Sequence, residues 1–223
     1  MTETLIIFSR YPEAGKTKTR MIPALGAIGA AKLQREMTEH TLKTAKQLQL
    51  SRNISVEVHF SGGDVLLMSE WLGKDISFLP QIAGDLGQKM RSAFDLAFNL
   101  GNHRVVTIGI DCPDLNPKIL NEAFETLHEQ DLVLGAAEDG GYYLIALNHS
   151  IPELFKNINW GTDKVLNQTQ NIAGKLGLNI SYLPVLRDVD CPDDLLVWEK
   201  VRAERSDPAG LFHLQANRSK LNN

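Results

Sequence analysis

Cysteine is scarce in this sequence, and long apolar segments are missing from it. The 223 residues include only Cys112 and Cys191, too few for a disulfide framework and without the spacing of a zinc site. Apolar runs stay well short of the ~20 residues that span a bilayer. The opening MTETLIIFSR has no basic stretch ahead of its four apolar residues, unlike a secretory signal. We therefore expect a cytoplasmic protein without a membrane span, in which both thiols are buried.

A surplus of positive charge is also missing. The formal net charge is -4 at pH 7 and the isoelectric point is about 5.9, which argues against broad nucleic-acid binding. A hydrophobic content of 43% is that of an ordinary globular protein, long enough for one α/β domain. We expect this domain to span residues 1–207 and predict a partly disordered tail at 208–223.

A concentrated basic loop follows the first predicted strand. The apolar residues 5–8 predict a buried strand that ends at Ser9. Four cations fall within the next eleven residues: Arg10, Lys16, Lys18 and Arg20. Such a cluster suits a polyanion, because ammonium and guanidinium groups neutralise phosphate while backbone N–H groups donate to its oxygens. A solvated surface loop is the alternative.

The remaining chain alternates between strand-like and helix-like segments. A long amphipathic helix after Gly26 is predicted to turn these residues inward: Leu33, Met37, Thr41, Ala45 and Leu48. Apolar strands are predicted at 54–60 and 105–110, and EDGGYYLIAL leaves no room for a helix between two later strands. This alternation predicts an α/β fold with a mostly parallel central sheet and helices on both faces. Ligands of such sheets bind at the carboxyl ends of the strands.

Polar residues mark the predicted starts of three helices. Asp64 and Asn116 are predicted N-caps, and Pro117 then occupies the first helical position of a helix that runs to about residue 130. Thr162 or Asp163 is predicted to cap a helix that ends at 174 or 177. A last strand is predicted for 180–190.

Two aspartates share one sequence context. Asp111 and Asp190 each end a predicted strand, and each is followed by Cys-Pro-Asp. Two carboxylates at one edge of a sheet suit a hard divalent cation that is shared with phosphate oxygens. Helix capping is the alternative for each aspartate alone. Their pairing beside a basic loop favours a metal site.

Two common nucleotide-binding motifs are absent. A P-loop would need glycine where Arg10 stands, and Pro23 opposes a helix that begins at Lys16. No GxGxxG sequence follows a predicted strand, so a dinucleotide site of the Rossmann type is unsupported.

Six segments together resemble a bacterial family of GT-A-type transferases. They are FSRYPEAGKTKTR, the GDLGQKM loop, GIDCPDL, EDGGYYLIAL, NWGTDKVL and DVDCPDDL, in this order along most of the chain. The family is associated with radical-SAM and selenium domains, its members are usually called glycosyltransferase-like, and some are assigned to arsenosugar biosynthesis. The resemblance implies a single-domain nucleotide-diphospho-sugar transferase fold that works with Mg²⁺ or Mn²⁺ held by Asp111 and Asp190.

The resemblance also implies where a nucleotide would bind. The loop from Phe8 to Arg20 would wrap the nucleotide, with its main chain near the base and its cations on the phosphates. Lys89 stands where GDLGxRM would have arginine, which keeps the charge but loses the bidentate fork. The implied nucleotide-binding residues are Phe8, Ser9, Arg10, Gly15, Lys16, Lys18, Arg20, Gln81, Gly84, Gly87 and Lys89.

An acceptor would lie against EDGGYYLIAL and NWGTDKVL. Gly140 and Gly141 would allow a close approach of ligand to backbone, and Tyr142 and Trp160 could stack on a sugar ring. Core packing is the alternative for the two aromatic residues. The implied catalytic residues are Asp111, as metal ligand, and Asp139 and Asp163, as candidates for the base that deprotonates the acceptor.

Three functions are compatible with these residues. The resemblance favours a glycosyltransferase that moves a sugar from a nucleotide-diphospho-sugar to a small-molecule acceptor. The alternative is a nucleotidyltransferase that releases pyrophosphate, although the G-x-G-T-R-M signature of sugar pyrophosphorylases is absent. A nucleotide-binding module without turnover is the third possibility. The sequence leaves the oligomeric state open.

Overall fold

The computed structural model describes residues 2–206, which form one seven-stranded sheet with helices on both faces. The predicted tail at 208–223 lies outside the described residues. The strands are β1 (Thr2–Arg10), β2 (Ser55–Ser61), β3 (Ser77–Pro80), β4 (Asn102–Ile108), β5 (Leu132–Ala137), β6 (Tyr142–Leu147) and β7 (Ile180–Leu186). The α-helices are α1 (Ile22–Gln49), α2 (Val65–Leu72), α3 (Leu86–Asn99), α4 (Pro117–Thr126), α5 (Val165–Lys175) and α6 (Leu195–Ser206).

The sheet is parallel except for one strand. Its order is β3-β2-β1-β4-β6-β5-β7, and β6 runs antiparallel to both β4 and β5. The short connection from β5 to β6 is the predicted strand-to-strand turn. In the middle of the sheet, Ile6 of β1 lies opposite Glu57 of β2 and Thr107 of β4. The predicted α/β fold with a mostly parallel sheet is confirmed.

The core has two halves, one on each face of the sheet. Alternate residues of β1 divide between them, since Leu5 and Ile7 belong to the half covered by α1 and α4, whereas Ile6 belongs to the half covered by α3. Phe124 and Phe94 are among the large, fully buried side chains of these two halves. Helices therefore cover both faces, as predicted.

Helix α1 buries the predicted face, but it starts earlier than predicted. Leu33, Met37 and Ala45 are buried, as are the other two predicted positions. The helix begins at Ile22, where Pro23 fits the first turn, and Gly26 adopts φ 69° at a kink. A residue without a Cβ can take this conformation at little cost, so the helix resumes beyond the kink.

Two of the three predicted helix starts are confirmed. The carboxylate of Asp64 accepts from the Leu67 N–H, and the Asn116 side chain accepts from the N–H groups of Lys118 and Ile119. The third prediction is wrong, because α5 begins at Val165 and its N-cap, Lys164, makes no side-chain cap.

Two predicted element ends are also wrong. Helix α4 ends at Thr126 rather than near 130, because the chain tightens into turns there. Strand β7 ends at Leu186 rather than at 190. Its partner β5 ends at Ala137, so the following residues lose their strand neighbour. The N–H of Val189 donates instead to the carbonyl of Asp111, 2.8 Å away.

A buried ion cluster lies at the amino ends of β1 and β4. Glu3 of β1 accepts from Arg52 Nε at 2.5 Å and from Arg104 Nε at 2.6 Å, and its side chain is only 5% exposed. Arg52 also bonds Glu125 of α4. The cluster joins β1, β4, α4 and the end of the α1–β2 connection.

Within residues 2–206, no helix is both long and apolar enough to cross a membrane.

Candidate active site

Two adjoining cavities lie at the carboxyl ends of the strands. We call the first, of about 390 Å³, the basic cavity, because cations make up most of its charged lining. We call the second, of about 480 Å³, the acidic cavity, because four aspartates line it. Arg20, Leu86, Asp111 and Asp190 line both cavities. Any ligand that fills both would pass these four residues.

Most of the residues implied for nucleotide binding line the basic cavity. They are Phe8, Ser9, Arg10, Lys16, Lys18, Arg20, Gln81 and Lys89. The other three are glycines that lie outside this lining. Gly15 and Gly84 adopt φ 80° and 129° in the loops that follow β1 and β3. Gly87 packs under Trp160, and a Cβ there would lie 2.5 Å from the indole nitrogen.

Internal hydrogen bonds hold the basic loop in place. The Arg10 guanidinium donates to the Lys16 carbonyl at 2.9 Å, and the Thr17 hydroxyl donates to the Glu13 carbonyl at 3.2 Å. Lys16 pairs with Glu13 at 2.7 Å and remains 68% exposed. The loop is therefore an ordered part of the cavity wall, and the Lys16 ammonium remains in contact with solvent.

Residues that were not predicted complete the basic cavity. Thr17, Thr19 and Ser61 contribute hydroxyl-bearing side chains to its lining. Gln34 of α1 is buried, and its amide donates to the carbonyl of Arg10 at 3.1 Å, which ties α1 to the end of β1. Gln34 could have been predicted to be buried, because it follows Leu33 on the inward face of an amphipathic helix.

The basic loop meets both predicted metal-binding aspartates. Lys18 Nζ lies 2.7 Å from Asp111 Oδ1 and 4.0 Å from Asp190 Oδ1. Lys18 also donates to the Val189 carbonyl at 2.5 Å, and Arg20 pairs with Asp190 Oδ2. The structure thus brings together cations and acids that are about 90 to 170 positions apart along the chain.

Neither aspartate caps a helix. Helix α4 is capped by Asn116, and the carboxylate of Asp194 accepts from the N–H groups of Asp190 and Cys191 at 3.1 and 2.9 Å. The side chains of Asp111 and Asp190 are 46% and 38% exposed. Their oxygens are hard ligands that face a phosphate-sized cavity, so the donor set fits Mg²⁺ or Mn²⁺.

The described residues supply few protein ligands for a metal. Between residues 2 and 206, no group of three or more His, Cys, Asp or Glu side chains is arranged as a metal site. Two carboxylates are nevertheless the usual protein contribution to a magnesium site that phosphate and water complete.

The acidic cavity contains an aspartate that sequence analysis missed. Asp188 lines it together with Asp139, Asp111 and Asp190. Burial raises the pKa of the Asp188 carboxyl, and the neighbouring charges of Asp139 and Asp190 raise it further. The sequence Asp-Val-Asp could have indicated Asp188, because residues two positions apart in an extended segment point to the same side. Val189 between them is buried.

An aromatic wall closes the acidic cavity. The rings of Tyr142 and Trp160 meet edge to face at 6.4 Å, and both residues are only partly buried. They also pack against the core beneath α3, so they serve as core and as cavity wall. Of the two predicted glycines, Gly141 lines the cavity, whereas Gly140 packs against the backbone of Asp163.

Only one of the two candidate bases lies in the cavity. Asp139 lines it, and its Oδ1 accepts from the Gly141 N–H at 2.8 Å. Asp163 is exposed outside the lining of both cavities, and it does not cap α5.

The two cysteines differ in burial. Cys112 is buried in the lining of the acidic cavity, and burial, followed by the charge of Asp111, raises the pKa of its thiol. Cys191 is only half-buried, and its thiol donates to Asp194 Oδ2 at 3.0 Å. The prediction that both thiols are buried therefore holds for Cys112 alone.

Comparison with solved structures shows that this is the fold of nucleotide-diphospho-sugar transferases. A "putative nucleotide-diphospho-sugar transferase" from Desulfovibrio desulfuricans G20 is 32% identical, with a TM-score of 0.80 over 86% of this chain and 84% of that one. The chain belongs to the family described as "Uncharacterized protein conserved in bacteria (DUF2064)", which matches residues 44–162. None of the curated proteins matches the sequence.

More distant structures share the fold alone. A CMP:2-keto-3-deoxy-manno-octonic acid synthetase in complex with CTP is 12% identical, with a TM-score of 0.59 over 93% of this chain and 100% of that one. A Mycobacterium tuberculosis H37Rv protein in complex with manganese is 16% identical, with a TM-score of 0.55 over 87% of this chain and 96% of that one.

Proposed function

We propose that this chain is a metal-dependent transferase that acts on a nucleotide-activated donor, and that it moves a sugar from a nucleotide-diphospho-sugar to a small acceptor. The observation that carries the proposal is the convergence on one cavity of the basic loop and of Asp111 and Asp190, which follow β4 and β7. The fold of the D. desulfuricans protein supports the same class of donor.

The basic cavity is the proposed site of the nucleotide. Arg10, Lys16, Arg20 and Lys89 line it and would neutralise the phosphate oxygens. Phe8 stacks on the His59 ring at 5.9 Å, which fixes a flat apolar surface near the proposed position of the base. Gln81 donates to the His59 carbonyl, and this bond fixes the side chain at the rim of the cavity.

The metal would be held where the two cavities meet. Asp111 and Asp190 supply carboxylate oxygens there, and the fold neighbour from M. tuberculosis that contains manganese supports this type of ion. When bound, Mg²⁺ or Mn²⁺ would stabilise negative charge on the departing phosphate. Arg20 sits at the same junction, so its guanidinium would assist in neutralising the leaving group.

The acidic cavity is the proposed site of the acceptor. The partly exposed rings of Tyr142 and Trp160 offer a wall for a sugar or another small ring. Asp139 is the remaining candidate for the base, because its carboxylate lines this cavity and Asp163 does not. Transfer would then take place between the cavities, beside Asp111.

Nucleotidyl transfer is the second candidate function. The fold neighbour crystallised with CTP favours it, since a nucleoside triphosphate could place its phosphates along the same basic loop. The two reactions differ in the bond that breaks, at the anomeric carbon or at the α-phosphorus. The link to radical-SAM and selenium domains, arsenosugar biosynthesis and a cytoplasmic location stay predictions of the sequence.

Labelled substrates separate the candidates. The full chain would be incubated with Mn²⁺ and either nucleotide-diphospho-sugars or nucleoside triphosphates. Slow release of nucleoside diphosphate from the first pool is expected, because water can replace a missing acceptor. Release of pyrophosphate from the second pool would establish nucleotidyl transfer instead. Binding of a nucleotide without turnover of either pool would leave a non-catalytic module.

A further inference from the structure

We propose that Lys18 is a resident cation between Asp111 and Asp190, and that its ammonium must leave before a divalent metal can bind there. Lys18 would therefore be a positioning residue that makes metal binding depend on the arrival of phosphate. The inference rests on the proposed function only for the position of the metal.

The first observation is the burial of the Lys18 ammonium among oxygen atoms. The Lys18 side chain is 4% exposed, although lysine is rarely buried unless it is paired. Its Nζ lies 2.7 Å from Asp111 Oδ1, 2.5 Å from the Val189 carbonyl and 4.0 Å from Asp190 Oδ1. These oxygens surround one small cation at the point where the two acids meet.

The second observation is the backbone that directs Lys18 inward. Lys18 adopts φ 45° and ψ 46°, and it is one of two non-glycine residues with positive φ among residues 2–206. Residues other than glycine adopt this backbone conformation at a cost in free energy, so the surrounding contacts must hold Lys18 in it. Lys16, two positions earlier, instead points to solvent and pairs with Glu13.

The two cations cannot occupy this place together. An ammonium group has three donors and no lone pair, so it cannot act as a metal ligand. A divalent ion at Asp111 would also be repelled by a positive charge within about 4 Å, where Coulomb energies are large even at a protein surface. The metal and the Lys18 ammonium therefore compete for the same carboxylate oxygen.

Phosphate would resolve this competition. Lys18 lines the basic cavity, so the phosphate groups of a ligand there would offer its ammonium a second anionic partner. Movement of Lys18 to phosphate would free Asp111 Oδ1 for the metal. Binding of phosphate and binding of metal should then strengthen each other by the same factor.

Manganese binding without a nucleotide tests the inference. Calorimetric titration of the full chain with Mn²⁺ alone should show at least tenfold tighter binding to Lys18→Met than to the wild type. Methionine is an unbranched side chain that can occupy the buried position of Lys18, but it carries no competing charge. Lys18→Arg retains the charge and should bind Mn²⁺ no more tightly than the wild type. Lys16→Met removes a charge from the same loop away from Asp111, and its affinity should stay within about twofold of the wild type.

Two further variants show whether a gain in Mn²⁺ affinity arises at Asp111 and whether it depends on an altered fold. Adding Asp111→Asn to Lys18→Met should cancel the gain, which assigns it to this site. If Lys18→Met melts well below the wild type, Lys18→Gln replaces it, since glutamine keeps a donor for Asp111 and the Val189 carbonyl. Unchanged or weaker Mn²⁺ binding by the folded variant would overturn the inference, as would an equal gain in Lys16→Met.

Failure of this inference is distinguishable from failure of the proposed function. Turnover of labelled nucleotides by the wild type tests the proposed function, whereas Mn²⁺ titration without nucleotide tests the role of Lys18. Turnover with no gain in Lys18→Met would reject only the role of Lys18. A gain in that variant without any nucleotide binding by the wild type would reject only the function.

Discussion

At the scale of single residues, two cation–carboxylate pairs of different exposure lie where the basic and acidic cavities meet. We call the two cavities together the cleft. The inner pair joins buried Lys18 to Asp111, and the outer pair joins Arg20, which is 70% exposed, to Asp190. Solvent and salt screen the outer pair much more than the inner one. Changes to the inner pair should therefore affect metal binding, and changes to the outer cations should affect anion binding.

Asp111→Asn should abolish metal-dependent turnover and leave the fold intact. The amide is a far weaker ligand for a hard cation, yet its oxygen can still accept from Lys18. We expect at least a hundredfold loss of rate with Mn²⁺ and a melting temperature within about 4 °C of the wild type. Steady-state turnover and thermal unfolding provide the two measurements. A near-normal rate would remove Asp111 from the mechanism.

Replacing Lys16 and Arg20 together by alanine should weaken nucleotide binding. Each lost charge-assisted hydrogen bond is worth about 1.5–3 kcal/mol, and both side chains are largely exposed, so two bonds at the low end of this range predict a loss of roughly 100-fold. The remaining affinity should depend less on ionic strength, as titrations at two salt concentrations would show. The matched control is Lys32→Ala with Lys156→Ala, two exposed lysines outside both cavities. Equal affinities of the two double variants would make the loop an ordinary solvated surface.

Single residues show which parts of the site sequence analysis could reach. The charges of the basic loop and the acids that follow β4 and β7 are local features of the sequence, and they were predicted. The inward direction of Lys18 was not, because it depends on Val189, 171 positions away. Asp188 was missed because its place follows from the end of β7 at Leu186, which depends on the length of a neighbouring strand.

At the scale of elements, the buried ion cluster joins segments at the end of the sheet opposite the cleft. Burial raises the pKa of the Glu3 carboxyl, but hydrogen bonds from Arg52 and Arg104 outweigh it and leave the pKa below its ordinary value of 4.5. Arg52 also stacks over the Phe124 ring of α4 at 5.0 Å. The cluster therefore fixes the starts of β1 and β4 and the position of α4.

Glu3→Gln should destabilise the fold strongly and in a pH-dependent manner. Glutamine removes the buried negative charge that faces Arg52 and Arg104, so we expect the free energy of unfolding to fall by about 3 kcal/mol at pH 7. Because the folded pKa lies below 4.5, the stabilisation by Glu3 is present above that pH and is lost as the pH falls toward the folded pKa. Urea unfolding at several pH values should show the two proteins converging below pH 4.5.

Glu125→Gln is the matched control for this prediction. Glu125 also pairs with Arg52, but its side chain is 58% exposed, so solvent screens the pair and the loss should stay below about 1 kcal/mol. Equal losses in the two variants, or a Glu3→Gln difference that persists at acid pH, would contradict the role given to burial.

Elements were predictable where their signals are local. Asp64 and Asn116 cap the helices that follow them, and the inward face of α1 follows from its periodicity. The start of α5 was not predictable, because Thr162 belongs to a turn ahead of the helix, where its hydroxyl donates to the Asn159 carbonyl and accepts from the Lys164 N–H. The kinked start of α1 depends on the φ of Gly26, which composition does not fix.

At the scale of the whole molecule, the strand order places the cleft. The chain builds β1, β2 and β3 outward on one side and then returns to place β4 beside β1. Ligands of α/β sheets bind at such a reversal of strand order, and the basic cavity lies there with Ser9 and Arg10 from β1 and Asp111 from beyond β4. The alternation of strands and helices predicted the sheet and its two covered faces, but it could not predict the strand order.

The central claim is that one cleft binds a nucleotide together with a metal at Asp111. The most direct test is the melting temperature of the wild type and Asp111→Asn with nucleotide-sugars and nucleoside triphosphates, each with and without Mn²⁺. At a ligand concentration a hundred times Kd, binding adds about 2.7 kcal/mol, which should raise the melting temperature by roughly 5 to 10 °C. We expect this rise for at least one nucleotide in the wild type, with most of it dependent on Mn²⁺ and lost in Asp111→Asn. No shift with any nucleotide, or the same Mn²⁺-dependent shift in both proteins, would contradict the account.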